Sequence, residues 1–121
     1  MWIEKIKLEN FRNYENQEII LNKNMNIFYG ENAQGKTNII EAIFFASIGK
    51  SFRTKKEKEI IKFNKDYSNI EIFYNKSDRE GNIKINISDK KNIFINKIKI
   101  KKLSELLGNI NTVIFTPDDI N

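Results

Sequence analysis

Apolar and polar positions alternate over short stretches along most of this chain, and the one sustained departure from that period reads as a helix. Residues 2–8 and 18–21 read as paired strands joined by Asn10-Phe11-Arg12-Asn13-Tyr14. Met25-Asn26-Ile27-Phe28-Tyr29 has the length of a buried strand. Over residues 37–47, Ile39, Ile40, Ala42, Ile43, Phe44, Phe45 and Ala46 cover most of a helical surface, and Gly49 supplies the stop. A polar loop and a short helix near residues 55–62 come next. Ile70-Glu71-Ile72-Phe73-Tyr74 is a strand, and a turn is expected at Ser77-Asp78-Arg79-Glu80-Gly81. Ile83, Ile85 and Ile87 alternate with Lys84, Asn86 and Ser88, the signature of a half-buried strand. Asp89-Lys90-Lys91-Asn92 then turns into Ile93-Phe94-Ile95, and Ile98 and Ile100 alternate with Lys97 and Lys99. Leu103, Leu106 and Leu107 predict a brief helix ended by Gly108. Thr112-Val113-Ile114-Phe115 reads as a buried strand, and Thr116-Pro117-Asp118-Asp119 as a helix start with Pro in the first turn.

Strand, loop and buried helix in that order bracket the most informative segment, Gly30-Glu31-Asn32-Ala33-Gln34-Gly35-Lys36-Thr37, which fills every defined position of a phosphate-binding loop. A chance match in a chain of this length is on the order of one in a few hundred. The chemistry accounts for the spacing. A nucleoside triphosphate is a dense anion, and a loop of inward-turned backbone N–H groups surrounds its β-phosphate without a side chain in the way. Gly30 frees the backbone at the end of the strand. Gly35 lets it approach the phosphate at the first helical turn, whose unpaired N–H groups favour an anion. Lys36 adds a full positive charge toward the β- and γ-phosphates, and Thr37 offers a hydroxyl to Mg²⁺. A nucleoside triphosphate with Mg²⁺ is therefore the expected ligand, at residues 30–37.

The elements after this helix select the subclass. Kinase-like and GTPase-like proteins continue into parallel strand and helix units, whereas antiparallel hairpins succeed the helix in this chain. The expected fold is thus α/β: a P-loop NTPase, lobe I of an ATP-binding-cassette head carrying an antiparallel β subdomain at about residues 68–100. A small phosphotransferase using the same loop is the competing enzyme class, and the hairpins argue against it.

Composition narrows the chemistry further. The 121 residues include no cysteine and no histidine, which removes disulfides, thiolate and imidazole metal sites and nucleophile–histidine catalysis. No apolar run is long enough to cross a bilayer and no charged-then-apolar leader opens the chain, so a cytoplasmic protein without membrane attachment is expected. The abundance of Asn, Ile and Lys reads as codon bias of an AT-rich genome. The net charge of +5 is uneven. Lys50, Arg53, Lys55, Lys56, Lys58, Lys62 and Lys65 meet only Glu57 and Glu59, and Lys90, Lys91, Lys97, Lys99, Lys101 and Lys102 form a second cluster. These lysines are either a surface for a polyanion or solvated positions on exposed strands. Phe52 is either a stacking ring beside Arg53 or core. Arg12 and Asn13 either fold back toward the phosphates or are solvated while Phe11 and Tyr14 anchor the turn.

Several segments together resemble one family. Ile6-Lys7-Leu8-Glu9-Asn10-Phe11-Arg12-Asn13-Tyr14, the loop at 30–37 with Asn38 and Glu41-Ala42-Ile43, Gly49-Lys50-Ser51-Phe52-Arg53-Thr54, and Val113-Ile114-Phe115-Thr116-Pro117-Asp118-Asp119 are similar to the N-terminal part of RecF, the bacterial recombination and replication-repair ATPase family related to SMC proteins. The resemblance implies an ATP-dependent homodimer that binds gapped or single-stranded DNA and, with RecO and RecR, assists RecA loading. It also implies that Arg12, with Asn13 beside it, lies near the nucleotide, and it makes Lys50, Arg53, Lys55 and Lys56 the candidates for DNA contact. Members of the family also carry an apolar strand closing on Asp-Glu and a Ser-x-Gly-Gln-like signature. Neither occurs in these 121 residues, so this stretch alone is expected to bind ATP without meaningful turnover. It is expected to be a single, incomplete domain. A third reading keeps only the lysine-rich hairpins, as a non-catalytic nucleic-acid-binding remnant.

Overall fold

In the computed structural model, residues 1–21 and 33–110 are described. They form one six-stranded antiparallel sheet and one long helix. The strands are β1 (Trp2–Phe11), β2 (Tyr14–Ile20), β3 (Ser68–Lys76), β4 (Arg79–Ile87), β5 (Lys91–Ile95) and β6 (Ile98–Lys99), in the spatial order β2-β1-β3-β4-β5-β6. The helix α1 spans Ala33–Ile48. The strands expected at 25–29 and 112–115 and the helix start at 116–119 lie outside the described residues.

Register turns the period-two alternation into a core. Leu8 faces Ile70, Ile70 faces Ile85 and Ile85 faces Ile93, while Ile6, Ile72, Ile83 and Ile95 form the neighbouring row. Both rows lie under α1, whose Ile39, Ala42, Ile43, Phe45 and Ala46 join them in one buried cluster. Each isoleucine so buried contributes about 2 kcal/mol of transfer free energy. The opposite face of the sheet is polar: Lys7 lies across from Glu71, and Glu71 from Lys84. Lys5 stands over the Phe73 ring at 4.6 Å.

The turns are tighter than the residue pattern implies. Strands β1 and β2 meet through Arg12 and Asn13 alone, with Phe11 opposite Tyr14. Ser77 and Asp78 both take positive φ, 54° and 62°, as a two-residue hairpin loop requires. Gly81 therefore belongs to β4 and not to the turn. A Cβ there would lie 2.2 Å from the ring of Tyr74, its cross-strand partner, so the glycine makes room for a buried aromatic. The helices expected at 55–62 and around Leu103 are single 3-10 turns, Glu57–Ile60 and Leu103–Glu105. Each contributes one well-buried apolar residue nearby, Ile60 and Leu106, too few to hold a longer amphipathic helix against the sheet.

Helix α1 ends at a left-handed Gly49, φ +86°, whose N–H bonds to the Phe45 carbonyl at 2.7 Å. Lys91 donates to the Gly49 carbonyl at 2.7 Å and to Glu57 at 2.9 Å, placing a cation at the negative end of the helix. That fixed end aims residues 50–54 back along the flank of α1.

Candidate functional site

Glu41 is the one charged residue between Lys36 and Lys50, and it is fully buried. A carboxylate so placed must be paired and hydrogen-bonded, and four donors converge on it. Arg12 is bidentate, with Nε 2.9 Å from Oε1 and Nη2 2.6 Å from Oε2. Arg53 Nη1 donates at 3.0 Å and Ser51 Oγ at 2.6 Å. Arg53 Nη1 also reaches Asn38 Oδ1 at 2.8 Å, and Asn38 Nδ2 reaches Asn13 Oδ1 at 3.2 Å. Three segments distant in sequence are thereby tied together: the β1–β2 tip, the second and third turns of α1 and the loop after Gly49.

Local structure makes this convergence stiff. Arg12 sits at φ +54°, an uncommon conformation for a residue with a Cβ. Its N–H bonds to the Ile60 carbonyl at 2.7 Å, Lys62 N–H bonds to the Asn10 carbonyl at 2.8 Å, and Phe11 bridges Ile61. The hairpin tip is thus clamped by residues 60–62. An open cleft of about 660 Å³ lies at this junction, lined among the described residues by Arg12, Asn13, Asn38, Arg53, Lys62 and Phe63, together with Glu59 and Ile61. Two guanidiniums against one carboxylate leave a net positive charge on its wall. Phe63 projects into solvent at 85 % exposure.

Against the sequence-derived site, Gly30, Glu31 and Asn32 fall outside the described residues. Ala33, Gln34, Gly35, Lys36 and Thr37 form the opening turns of α1, with Gly35 buried and Thr37 half-buried. Arg12 and Asn13 flank the same helix. Lys50, Lys55 and Lys56 are exposed, whereas Arg53 is folded against α1 with its side chain 30 % exposed. Phe52 meets Phe44 edge to face at 5.2 Å. The buried Glu41, with Asn38 and Ser51, was missed as a site. The signal was present: an acid inside an otherwise apolar helical run needs a cationic partner.

Among the described residues the first turn of α1 carries no acidic side chain, and a helix N-terminus suits a phosphate group. Among the described residues no group of three or more His, Cys, Asp or Glu could hold a metal ion. The Thr37 hydroxyl and phosphate oxygens are donors of the kind Mg²⁺ takes. No helix among the described residues is long and apolar enough to cross a membrane.

A phosphate-loop sequence running into a helix that packs on an antiparallel sheet defines the ATP-binding lobe of an ATP-binding-cassette type P-loop ATPase head. Residues 5–121 match the family model described as an AAA domain, and within it the chain belongs to the RecF family. The DNA replication and repair protein RecF of Clostridium acetobutylicum is 52% identical over 122 residues, covering 99% of this chain and 34% of the relative. That of Clostridium botulinum is 49% identical over the same length and shares. The chain thus spans about a third of the length of the curated relatives it matches. Among solved structures, the recombination mediator protein RecF of the RecFOR pathway, in its RecF-ATPrS and RecF-ATP structures, superposes with TM-scores of 0.85 and 0.84. Both are 36% identical over 97% of this chain, which covers 32% and 33% of theirs. An SMC head domain from Thermotoga maritima shares the fold at TM-score 0.64 and 17% identity, over 88% of this chain and 41% of that one.

Proposed function

We propose that this chain is the ATP-binding portion of a RecF-type DNA replication and repair protein, a single head lobe that binds gapped or single-stranded DNA in an ATP-dependent way and assists RecA loading. The observation carrying the reading is the Arg12–Glu41–Arg53 cluster beside the opening turns of α1, because it gathers positive charge next to the segment whose sequence is built for a triphosphate. Residues 30–37 hold ATP, Thr37 supplies Mg²⁺ with a hydroxyl, and Arg12 and Asn13 form the flanking wall. Bound Mg²⁺ supplies charge neutralisation of the phosphates. The relatives solved as RecF-ATP and RecF-ATPrS support ATP as the nucleotide. The RecFOR pathway to which they belong supports RecO and RecR as partners of a homodimeric full-length protein.

DNA contact falls to Lys50, Arg53, Lys55 and Lys56, of which the three lysines present their charge to solvent. A small phosphotransferase fits less well, since antiparallel strands and not a parallel strand come after α1 among the described residues. Salt-dependent binding of single-stranded DNA with and without ATP, on the wild type and on Lys36→Ala, tests the reading. ATP is expected to strengthen DNA binding in the wild type alone. Identical curves in all four conditions would leave a nucleic-acid-binding remnant without nucleotide coupling. Removing Lys55 and Lys56 is expected to flatten the log–log salt slope by about 0.7 for each phosphate of the single strand no longer neutralised.

A further inference from the structure

Glu41 has no assigned task, yet it is the hub of the site. We propose that Glu41 is a positioning residue that locks Arg12 and Arg53 into one rigid pair facing the cleft, so that the pair reads the terminal phosphate and favours a nucleoside triphosphate over a diphosphate. The inference rests on the ATP-binding reading above.

The argument begins with helix geometry. Thr37 and Glu41 are four residues apart on α1, so they occupy one face, a single turn from each other. The guanidiniums fixed on Glu41 therefore stand about one helical turn from the hydroxyl assigned to Mg²⁺, on the wall of the cleft that Arg12 and Arg53 line. Neither arginine could hold that place alone. Arg12 comes from a hairpin tip and Arg53 from the loop after Gly49, and both are long side chains whose ordering carries an entropic cost. Two like charges brought together also repel. A buried carboxylate between them removes both difficulties. It binds Arg12 bidentately and Arg53 through Nη1, its remaining capacity is filled by Ser51, and its burial keeps water from competing. Asn38 and Asn13 complete the brace.

The proposal separates cleanly from simple charge counting. Glu41→Gln removes a negative charge beside an anion site, so electrostatics alone makes ATP bind more tightly. Positioning makes it bind more weakly, because Gln presents an NH₂ group where the arginines need an acceptor. Titration calorimetry of MgATP and MgADP on the whole chain decides between them, for the wild type, Glu41→Gln, Glu41→Asp, Arg12→Gln/Arg53→Gln, the triple variant that adds Glu41→Gln to that pair, and Lys36→Ala. Expected is a loss on the order of tenfold in ATP affinity for Glu41→Gln with a smaller loss for ADP, the scale of a charge-assisted hydrogen-bond pair. Partial rescue is expected in Glu41→Asp. In the triple variant, Glu41→Gln should have no further effect on ATP, since the residue acts only through the two arginines.

Tighter ATP binding by Glu41→Gln, equal losses for ATP and ADP, or an undiminished effect in the triple variant would each overturn the proposal while leaving ATP binding intact. If Lys36→Ala binds ATP as the wild type does, the nucleotide reading itself fails and this proposal falls with it. Circular dichroism of each variant keeps loss of fold apart from loss of binding. A Glu41→Gln chain that unfolds while Glu41→Asp folds and binds ATP and ADP like the wild type also counts against positioning.

Discussion

Replacing Gly49 by alanine tests how α1 is joined to the loop that returns to Glu41. Two costs are separable in the structure. The first is conformational: at φ +86° a Cβ meets the following carbonyl, which costs about 1–2 kcal/mol. The second is steric, because the new methyl would lie 2.5 Å from Leu103 Cδ2 and 3.3 Å from Leu106 Cδ2. Leu106 is fully buried and has nowhere to go, but Leu103 is 47 % exposed and can swing outward, forfeiting about 1 kcal/mol of packing. Together these give about 2–3 kcal/mol, or a fall in Tm of about 10 °C for a chain of this size. Thermal and urea melts followed by far-ultraviolet circular dichroism measure it. In a Leu103→Ala background the 2.5 Å contact is gone, and the Gly49→Ala loss should shrink by about 1 kcal/mol, leaving the conformational part and the 3.3 Å contact with Leu106. A Gly49→Ala chain melting within about 1 °C of wild type, or an unchanged loss in the Leu103→Ala background, would refute the reasoning.

Gly81→Ala places a methyl against the ring of Tyr74, which is 5 % exposed. It should lower the urea midpoint by an amount worth about 2 kcal/mol, and an unmoved midpoint would mean the ring relaxes freely. Lys91→Met removes the donor to the Gly49 carbonyl and to Glu57, both partly solvated, so about 1 kcal/mol is expected. Its deficit relative to wild type should narrow in about 1 M salt. Glu9 accepts from Tyr67 at 2.6 Å and from Asn69 at 2.9 Å, and the tyrosine bond first, then the asparagine bond, holds its carboxyl below the ordinary value of 4.5. The unfolded chain therefore takes up this proton first. Its contribution is complete above pH 4.5 and is lost as pH falls below that value. Glu9→Gln should accordingly flatten the fall in Tm between about pH 5 and about pH 3, and equal slopes for both proteins would argue against it.

The sheet was legible because its chemistry is local. Ile83, Ile85 and Ile87 alternate with polar neighbours, and that period alone says which side meets α1. The helix was equally plain from an apolar surface broken chiefly by Asn38 and Glu41, and Gly49 marked its end by being the one residue at ease there. Gly81 misled for the complementary reason: glycine also makes room for a neighbour, and the neighbour is a tyrosine seven positions upstream in β3 that only pairing brings opposite. The candidate site divides the same way. The loop at 30–37 is a contiguous signal. The cluster on Glu41 draws Arg12, Asn13, Asn38, Ser51 and Arg53 from three segments, and no local period reports that they meet.

Strand β1 lies between β2 and β3, so its two edges are completed at very different times. One edge closes through the Arg12–Asn13 turn as soon as β2 exists. The other waits for β3, with Glu9 and Asn69 sixty positions apart. During synthesis on the ribosome, β1 therefore stands as an open edge while the whole of α1 and residues 50–67 are still being added. The later strands can zip among themselves in sequence, leaving the closure of β1 onto β3 as the long-range step that governs the folding rate of this lobe.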